Sequence, residues 1–69
     1  MTIGRSEDND IVIKNRTVSS HHATLSFEGG FFYITDNEST NGIFVNDIRI
    51  SKSKVHSNDI VRIGAVFAK

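Results

Sequence analysis

Residues 23–35 read ATLSFEGGFFYIT, and this stretch determines the fold class. Its first half alternates between apolar and polar residues, so that Ala23, Leu25 and Phe27 share one face of an extended chain. Glu28-Gly29-Gly30 then interrupts the pattern, and a second run rich in aromatic and β-branched residues follows. Because glycine accepts the backbone conformation of a tight turn at little steric cost, the stretch predicts a β-hairpin.

Short apolar bursts separated by Gly, Asn, Asp and Ser continue on both sides of this hairpin. Asn46-Asp47 is a two-residue turn signal between two such bursts and predicts a second hairpin. No window has the spacing of a helical apolar stripe. The sequence therefore predicts an all-β sandwich of short antiparallel and mixed strands, with its function on the connecting loops. The further predicted strands lie at 11–13, 43–45, 48–50, 60–63 and 66–68.

The length and composition exclude several classes of protein. The chain has 69 residues, no proline, no linker and no repeat, which predicts one small domain over residues 1–69. It has no cysteine, so a thiolate nucleophile, a redox dithiol and a cysteine-based zinc site are excluded. Eight basic residues balance eight acidic ones, so the chain lacks the broad positive field that would attract nucleic acids or membranes. Without a signal peptide, we expect a cytoplasmic protein, or a nuclear one if the source is eukaryotic.

Three polar loops contain the residues of chemical interest. Ile3-Gly4-Arg5-Ser6 places an arginine beside a glycine at the end of a predicted strand, and 18–23 and 36–42 are rich in hydroxyls and amides. A guanidinium forms a planar fork of donors, and hydroxyls and amides add directed ones. These groups are the ones that recognise a phosphate.

The same residues resemble the forkhead-associated (FHA) domain. The matching pieces occur in one order and span almost the whole chain, so the signal is far stronger than any single piece. The pieces are Ile3-Gly4-Arg5, Asn9-Asp10-Ile11-Val12-Ile13, Val18-Ser19, His22-Ala23, Asp36, Ser39-Thr40-Asn41-Gly42, Val45-Asn46, Arg49-Ile50, Asp59-Ile60 and Ile63-Gly64.

The resemblance implies an FHA-like β-sandwich that binds phosphothreonine peptides through loops at one end. By this resemblance Arg5 holds the phosphate, Ser19 supports it, Thr40 adds a contact beside it, and Asn41 bonds the peptide main chain. A small apolar slot for the threonine methyl would favour phosphothreonine over phosphoserine. The implied partner is a phosphorylated, extended segment of another protein in signalling. Three further positions are implied to shape the site, without contacting the ligand, and they are Gly4, His22 and Gly42.

Two departures from the family pattern affect the predictions. Ser20 stands where many members have a basic residue or asparagine, so we count it among the phosphopeptide contacts but expect weaker binding. Family members usually have further edge strands before the glycine-arginine pair and after the last strand here. Their lack predicts unpaired strand edges, which leaves self-association through these edges open.

Other functions fit the sequence less well. Adjacent residues on a strand point to opposite faces, so His21-His22 would not chelate one metal ion, and we expect neither a metal nor another cofactor. A Ser19, His22, Asp36 triad lacks an oxyanion hole, and we expect no enzyme activity. A calcium loop starting at Asp8 would need a glutamate where the chain has serine. The alternative that stays open is a phosphate-independent scaffold or self-association module built on the same sandwich.

Overall fold

The predicted hairpin forms the centre of the structure, a computed structural model that describes residues 1–68. Strands β3 and β4 pair antiparallel over six residue pairs, from Ala23 opposite Asp36 to Glu28 opposite Phe31. No helix occurs among the described residues, and therefore none that could cross a membrane. The strands are β1 (Thr2–Gly4), β2 (Ile11–Val12), β3 (Ala23–Glu28), β4 (Phe31–Asp36), β5 (Ile43–Val45), β6 (Ile48–Ile50), β7 (Lys52–Val55), β8 (Val61–Ile63) and β9 (Val66–Ala68).

These strands form two sheets that pack as a sandwich. The five-stranded sheet has the order β2-β1-β3-β4-β7, and the four-stranded sheet has the order β6-β5-β8-β9. β1 and β2 run parallel, with Ile3 opposite Ile11, while every other pair of neighbours is antiparallel. The predicted all-β sandwich of antiparallel and mixed strands is therefore confirmed.

Both predicted hairpins have two-residue turns with a left-handed backbone. Gly29 and Gly30 have φ angles of 58° and 87°, and Asn46 and Asp47 have φ angles of 50° and 67°. Positive φ at both central residues matches the right-handed twist of the flanking strands, and Gly, Asn and Asp adopt it most easily. The turn chemistry read from the sequence is thus the chemistry that sets the register of both hairpins.

The core consists of aliphatic side chains from the facing sides of the two sheets. In β5 the alternation is simple, since Ile43 and Val45 are buried while Phe44 between them points outward. Burying each such side chain contributes about 1.5–3 kcal/mol. The buried core residues are Ile3, Val18, Ala23, Ile34, Ile43, Val45, Val61 and Ile63.

The sandwich is uncovered at the end that holds the two tight turns. Phe27 and Phe32 are opposite one another in the β3–β4 ladder, on the face that Leu25 and Ile34 share, yet they are 63% and 51% exposed. Their rings meet edge to face at 4.8 Å. The predicted common face of β3 is therefore correct, but its last aromatic residue extends beyond the four-stranded sheet.

Strand β7 is the element that the sequence did not predict. Its residues, Lys-Ser-Lys-Val, contain one apolar side chain and no clear alternation. Only β4 pairs with it within the described chain, so β7 is an edge strand. Lysines on an edge strand discourage pairing with other chains, which explains a strand with so weak an apolar pattern.

A carboxylate fastens the loop before β8 at the same end. Asp59 accepts hydrogen bonds from the His56 backbone N–H at 2.8 Å and from the Asn46 side-chain amide at 2.9 Å. These bonds, that of His56 first, hold the pKa of Asp59 below its ordinary 3.8. A carboxyl whose pKa is lowered by folding stabilises the native state above that ordinary value, and the contribution disappears as the pH falls through the folded-state pKa.

We therefore predict that acid weakens the fold partly through Asp59. The free energy of unfolding of the unmodified chain should decrease between about pH 5 and pH 2, and Asp59→Asn should flatten that decrease. Asp47→Asn, which removes a charge from the neighbouring turn, is the control for charge loss alone. Urea unfolding across this pH range is the measurement, and equal pH slopes for the unmodified chain and Asp59→Asn would contradict the prediction.

Candidate functional site

Four connections meet at the end of the sandwich opposite the tight turns. They are residues 5–10, 13–22, 37–42 and 64–65, which follow or precede the central strands of both sheets. Backbone hydrogen bonds join them, among them Asn37 N–H to the His22 carbonyl at 3.0 Å and Gly64 N–H to the Gly42 carbonyl at 3.1 Å. We call this region the loop end.

The pairing of β1 with β3 continues into the loops and brings the predicted Arg5 beside Ser19. The Arg5 N–H donates to the Ser19 carbonyl at 3.0 Å, and the Ser6 N–H donates to the Ser20 carbonyl at 3.2 Å. Gly4 makes this approach possible, because a Cβ at that position would lie 2.2 Å from the Ser20 carbonyl oxygen. The missing side chain at Gly4 therefore allows the two loops to come within hydrogen-bonding distance.

A buried amide fixes the same two loops from the other side. Asn9 is 7% exposed, and its Nδ2 donates to the carbonyls of Ser6 at 2.8 Å and Ser20 at 2.7 Å. Its Oδ1 is buried without a hydrogen-bond partner in the described chain. In the sequence Asn9 belongs to a stretch that resembles the family, and the one signal of its role is an asparagine between two aspartates before a strand.

His22 is fully buried and joins the loops of the two sheets. Its Nδ1 accepts from the Ser19 N–H at 2.9 Å, so the ring proton lies on Nε2, which donates to the Gly42 carbonyl at 2.8 Å. The neighbouring His21 is exposed instead and meets the Asp8 carboxylate at 3.0 Å. The two imidazoles therefore have separate partners, although both residues precede β3 and neither lies in a strand.

Hydroxyl groups order the loop of 37–42. Ser19 Oγ accepts from the Thr40 N–H at 3.3 Å, which brings Thr40 next to the Arg5 side of the site. Ser39, which is buried, accepts from the Gly42 N–H at 3.0 Å and donates its own N–H to Asp36 at 3.0 Å. Asp36 thus caps a turn, and it is not a member of a catalytic triad in this arrangement.

Asn41 is held by a residue that the sequence analysis did not single out. Its Nδ2 donates to the Thr17 carbonyl at 2.8 Å, and the residue as a whole is exposed. Thr17 Oγ1 in turn donates to Asn15 Oδ1 at 2.6 Å and accepts from the Ala65 N–H at 2.9 Å. Thr17 therefore connects three loops and sets the position of Asn41.

The Arg5 side chain is exposed and has no carboxylate partner among residues 1–68. None of the salt bridges within residues 1–68 includes it. The nearby carboxylates in the chain have other partners, since Glu7 pairs with Lys14 at 2.9 Å and Asp8 with His21. The hydrogen bond from Lys14 holds the pKa of Glu7 below its ordinary value. The guanidinium is therefore available to an anion.

The predicted contact residues lie at one end of the structure, some joined by hydrogen bonds and others only adjacent in the chain. Arg5, Ser19 and Thr40 are joined by hydrogen bonds, Asn41 belongs to the same loop as Thr40, and Ser20 is exposed beside Ser19. A guanidinium, three hydroxyls and a carboxamide can together bind a phosphate and an adjoining peptide group. In the described residues no cluster of His, Cys, Asp and Glu could hold a metal ion.

Comparisons with known proteins point to one family. The FHA domain model matches residues 1–64. An ABC transporter ATP-binding/permease protein of Mycobacterium tuberculosis, Rv1747, is 48% identical over 64 residues, which cover 93% of this chain but 7% of the transporter. M. tuberculosis EmbR, solved in complex with a low affinity phosphopeptide, is 41% identical with a TM-score of 0.86, covering 90% of this chain and 17% of that one.

A second similar structure comes from an analysis of phosphothreonine-dependent FHA domain interactions. It is 27% identical, has a TM-score of 0.90, and covers 96% of this chain and 69% of that chain. This chain thus spans only a small part of the transporter and of EmbR. The likeness is to one domain within those proteins.

We predict that Gly4→Ala separates the first two loops. The added methyl would collide with the Ser20 carbonyl, so the Arg5 N–H should lose its bond to Ser19, and the free energy of unfolding should fall by about 1–3 kcal/mol. Amide hydrogen exchange should accelerate at Arg5. Gly29→Asn is the control, because no atom lies within 4 Å of a Cβ there and asparagine accepts its φ of 58°. Unchanged exchange at Arg5 in Gly4→Ala would contradict this account.

Proposed function

This chain belongs to the FHA domain family, and we propose that its loop end binds a phosphothreonine-containing segment of another protein. The observation that carries the proposal is the Arg5 guanidinium, which forms no salt bridge with a carboxylate of residues 1–68. The Arg5 backbone N–H is bonded to the Ser19 carbonyl, so the two side chains start from neighbouring points of the backbone. A phosphate dianion accepts several charge-assisted hydrogen bonds, and arginine matches it in geometry. The role is a phosphorylation-dependent interaction in signalling.

Each contact residue has a distinct role in this proposal. Arg5 pairs with the phosphate, and the hydroxyls of Ser19, Ser20 and Thr40 donate to its oxygens. Asn41, steadied through Thr17, bonds the main chain of the peptide and so fixes its direction. An extended peptide with its backbone bonded to loops gains affinity from main-chain groups and specificity from the phosphate.

The bonds among the loops support tight positioning of these groups. His22 holds the Ser19 N–H and the Gly42 carbonyl, and the Ser19 hydroxyl accepts from the Thr40 N–H. Side chains that start from a fixed backbone lose less conformational entropy when the ligand binds. The FHA domain is an interaction module, and the roles proposed here for these groups involve binding alone and no catalytic step.

A phosphate-independent contact is the second candidate, and one observation favours it. Phe27 and Phe32 form an exposed aromatic pair at the end opposite the loops, where an apolar surface is open to a partner or to a second copy. Such a contact would leave Arg5 unused. Variants at the two ends therefore separate the two functions.

We predict that Arg5→Ala strongly weakens binding of a phosphothreonine peptide. Loss of one partner of a charged hydrogen-bonded pair costs about 2–5 kcal/mol, so the Kd should rise by roughly 30-fold or more, and Arg5→Lys should lie between the two. Fluorescence anisotropy with a degenerate phosphothreonine peptide pool measures it, with phosphoserine and unphosphorylated pools as competitors. Lys52→Ala, on the outer face of the five-stranded sheet, is the control for charge.

The competitors separate the possible results. Competition by phosphothreonine alone supports the full proposal, whereas equal competition by phosphoserine would contradict the methyl preference. Equal peptide binding by Arg5→Ala would overturn the phosphate contact itself. Concentration-dependent light scattering that Phe27→Ser abolishes would instead favour the second candidate.

A further inference from the structure

The outer face of the four-stranded sheet has a row of alternating arginine and phenylalanine side chains. Arg49 of β6 is opposite Phe44 of β5, Phe44 is also opposite Arg62 of β8, and Arg62 is opposite Phe67 of β9. The row therefore crosses all four strands at one level. We call these four residues the Arg–Phe row.

Two contacts fix the guanidiniums of this row close to the loop end. The Arg62 guanidinium carbon lies 3.9 Å from the Phe44 ring centroid, and its Nη1 donates to the Gly64 carbonyl at 2.9 Å. The Arg49 guanidinium lies against Gly42, where a Cβ would be 2.7 Å from Arg49 Nε. Each contact orders its arginine but leaves other N–H groups of the fork without a partner in the described chain.

No carboxylate in the described part of the chain forms a salt bridge with an arginine of this row. All three salt bridges of residues 1–68 use Lys14, Lys52 or His21, and none uses an arginine. Packing against Phe44 stabilises Arg62 and accounts for one face of its guanidinium. It does not account for the second arginine, Arg49, whose strand lies two strand spacings, about 10 Å, from that of Arg62.

The row is continuous with the candidate binding site. A shallow pocket of about 220 Å³ lies between them, and its wall is shared by the loop end and the row. A peptide bound at Arg5 and Asn41 can therefore continue across the outer face of the four-stranded sheet. The pocket is lined by Thr17, Asn41, Phe44, Arg62, Gly64 and Ala65.

We propose that the Arg–Phe row binds an acidic stretch of the same phosphorylated partner, outside the phosphothreonine itself. The proposal rests on the proposed function of the loop end. Carboxylates pair with Arg49 and Arg62, and the apolar part of the stretch packs on Phe44 and Phe67. An extended chain advances about 3.3 Å per residue, so acidic residues about three positions apart match the spacing of the arginines.

The test compares phosphothreonine peptides that differ only in charge. One has neutral flanks, and two have an Asp/Glu stretch before or after the phosphothreonine. Acidic flanks on one side should tighten binding by roughly three- to tenfold at low salt, the range for two exposed charge pairs, and the gain should shrink at high salt. The double variant Arg49→Gln/Arg62→Gln should lose this gain while its Kd for the neutral peptide stays the same.

A matched variant controls for general charge. Lys54→Gln removes a cation that lies 3.9 Å from the centroid of the Phe31 ring, on the outer face of the opposite sheet. It should keep the gain from acidic flanks. An equal gain in the double variant and the unmodified chain, or an equal loss in Lys54→Gln, would overturn the proposal.

An acidic peptide without phosphate keeps the proposal testable if the loop end binds no phosphopeptide. Added at millimolar concentration, it should shift the backbone amide NMR signals of Phe44, Arg49 and Arg62 and leave those of β7 in place. Shifts confined to other surfaces would contradict the Arg–Phe row as the binding surface. Failure of the neutral phosphopeptide to bind would contradict the proposed function of the loop end, and it would not bear on the binding of acidic residues by the Arg–Phe row.

Discussion

The loop end depends on one buried imidazole. His22 has no exposed surface, and its two ring nitrogens bond the Ser19 N–H and the Gly42 carbonyl, which precede the central strands of different sheets. A polar group without partners in an apolar interior costs about 1–3 kcal/mol, so the ring is tolerated only because both nitrogens are satisfied. The packing of the two sheets and the spacing of the loops are thereby set by one group.

This arrangement makes the site an extension of the core. Val18 and Ile43, next to the two residues that His22 bonds, are 1% and 0% exposed. A shift in the packing of either side chain moves a backbone group that His22 holds. In a domain this small, where only about 60% of the unfolded surface is buried, core stability and ligand binding are therefore difficult to change separately.

The sequence predicts those parts of the fold whose signals are local. The two hairpins follow from Gly29-Gly30 and Asn46-Asp47, since turn chemistry acts within four residues. Strand β7 does not, because it is defined by its lysines and by its pairing with β4, its one neighbour among the described strands, and not by an apolar pattern. The parallel pairing of β1 with β2 involves two residues on each strand, which is too short for any pattern to reveal.

The candidate site divides in the same way. Arg5, Ser19 and Asn41 were identified because a family resemblance assigns them by side-chain type. Thr17 and Asn9 were not, since Thr17 acts partly through its carbonyl and Asn9 through the carbonyls of other residues, and those bonds exist only once the loops meet. The Arg–Phe row likewise requires the register of four strands.

The Gly29-Gly30 turn has a practical consequence. It lies at the far end of a six-pair ladder from the loop end. A Cβ added at either glycine would have no other part of the chain within 4 Å, apart from its immediate neighbours. The entropy of closing a longer loop grows only slowly with length, and exposed tips of this kind tolerate insertions. A fluorescent protein, an affinity tag or a second binding module inserted there would extend away from the ligand, so this turn is the natural attachment point for building a biosensor from the domain.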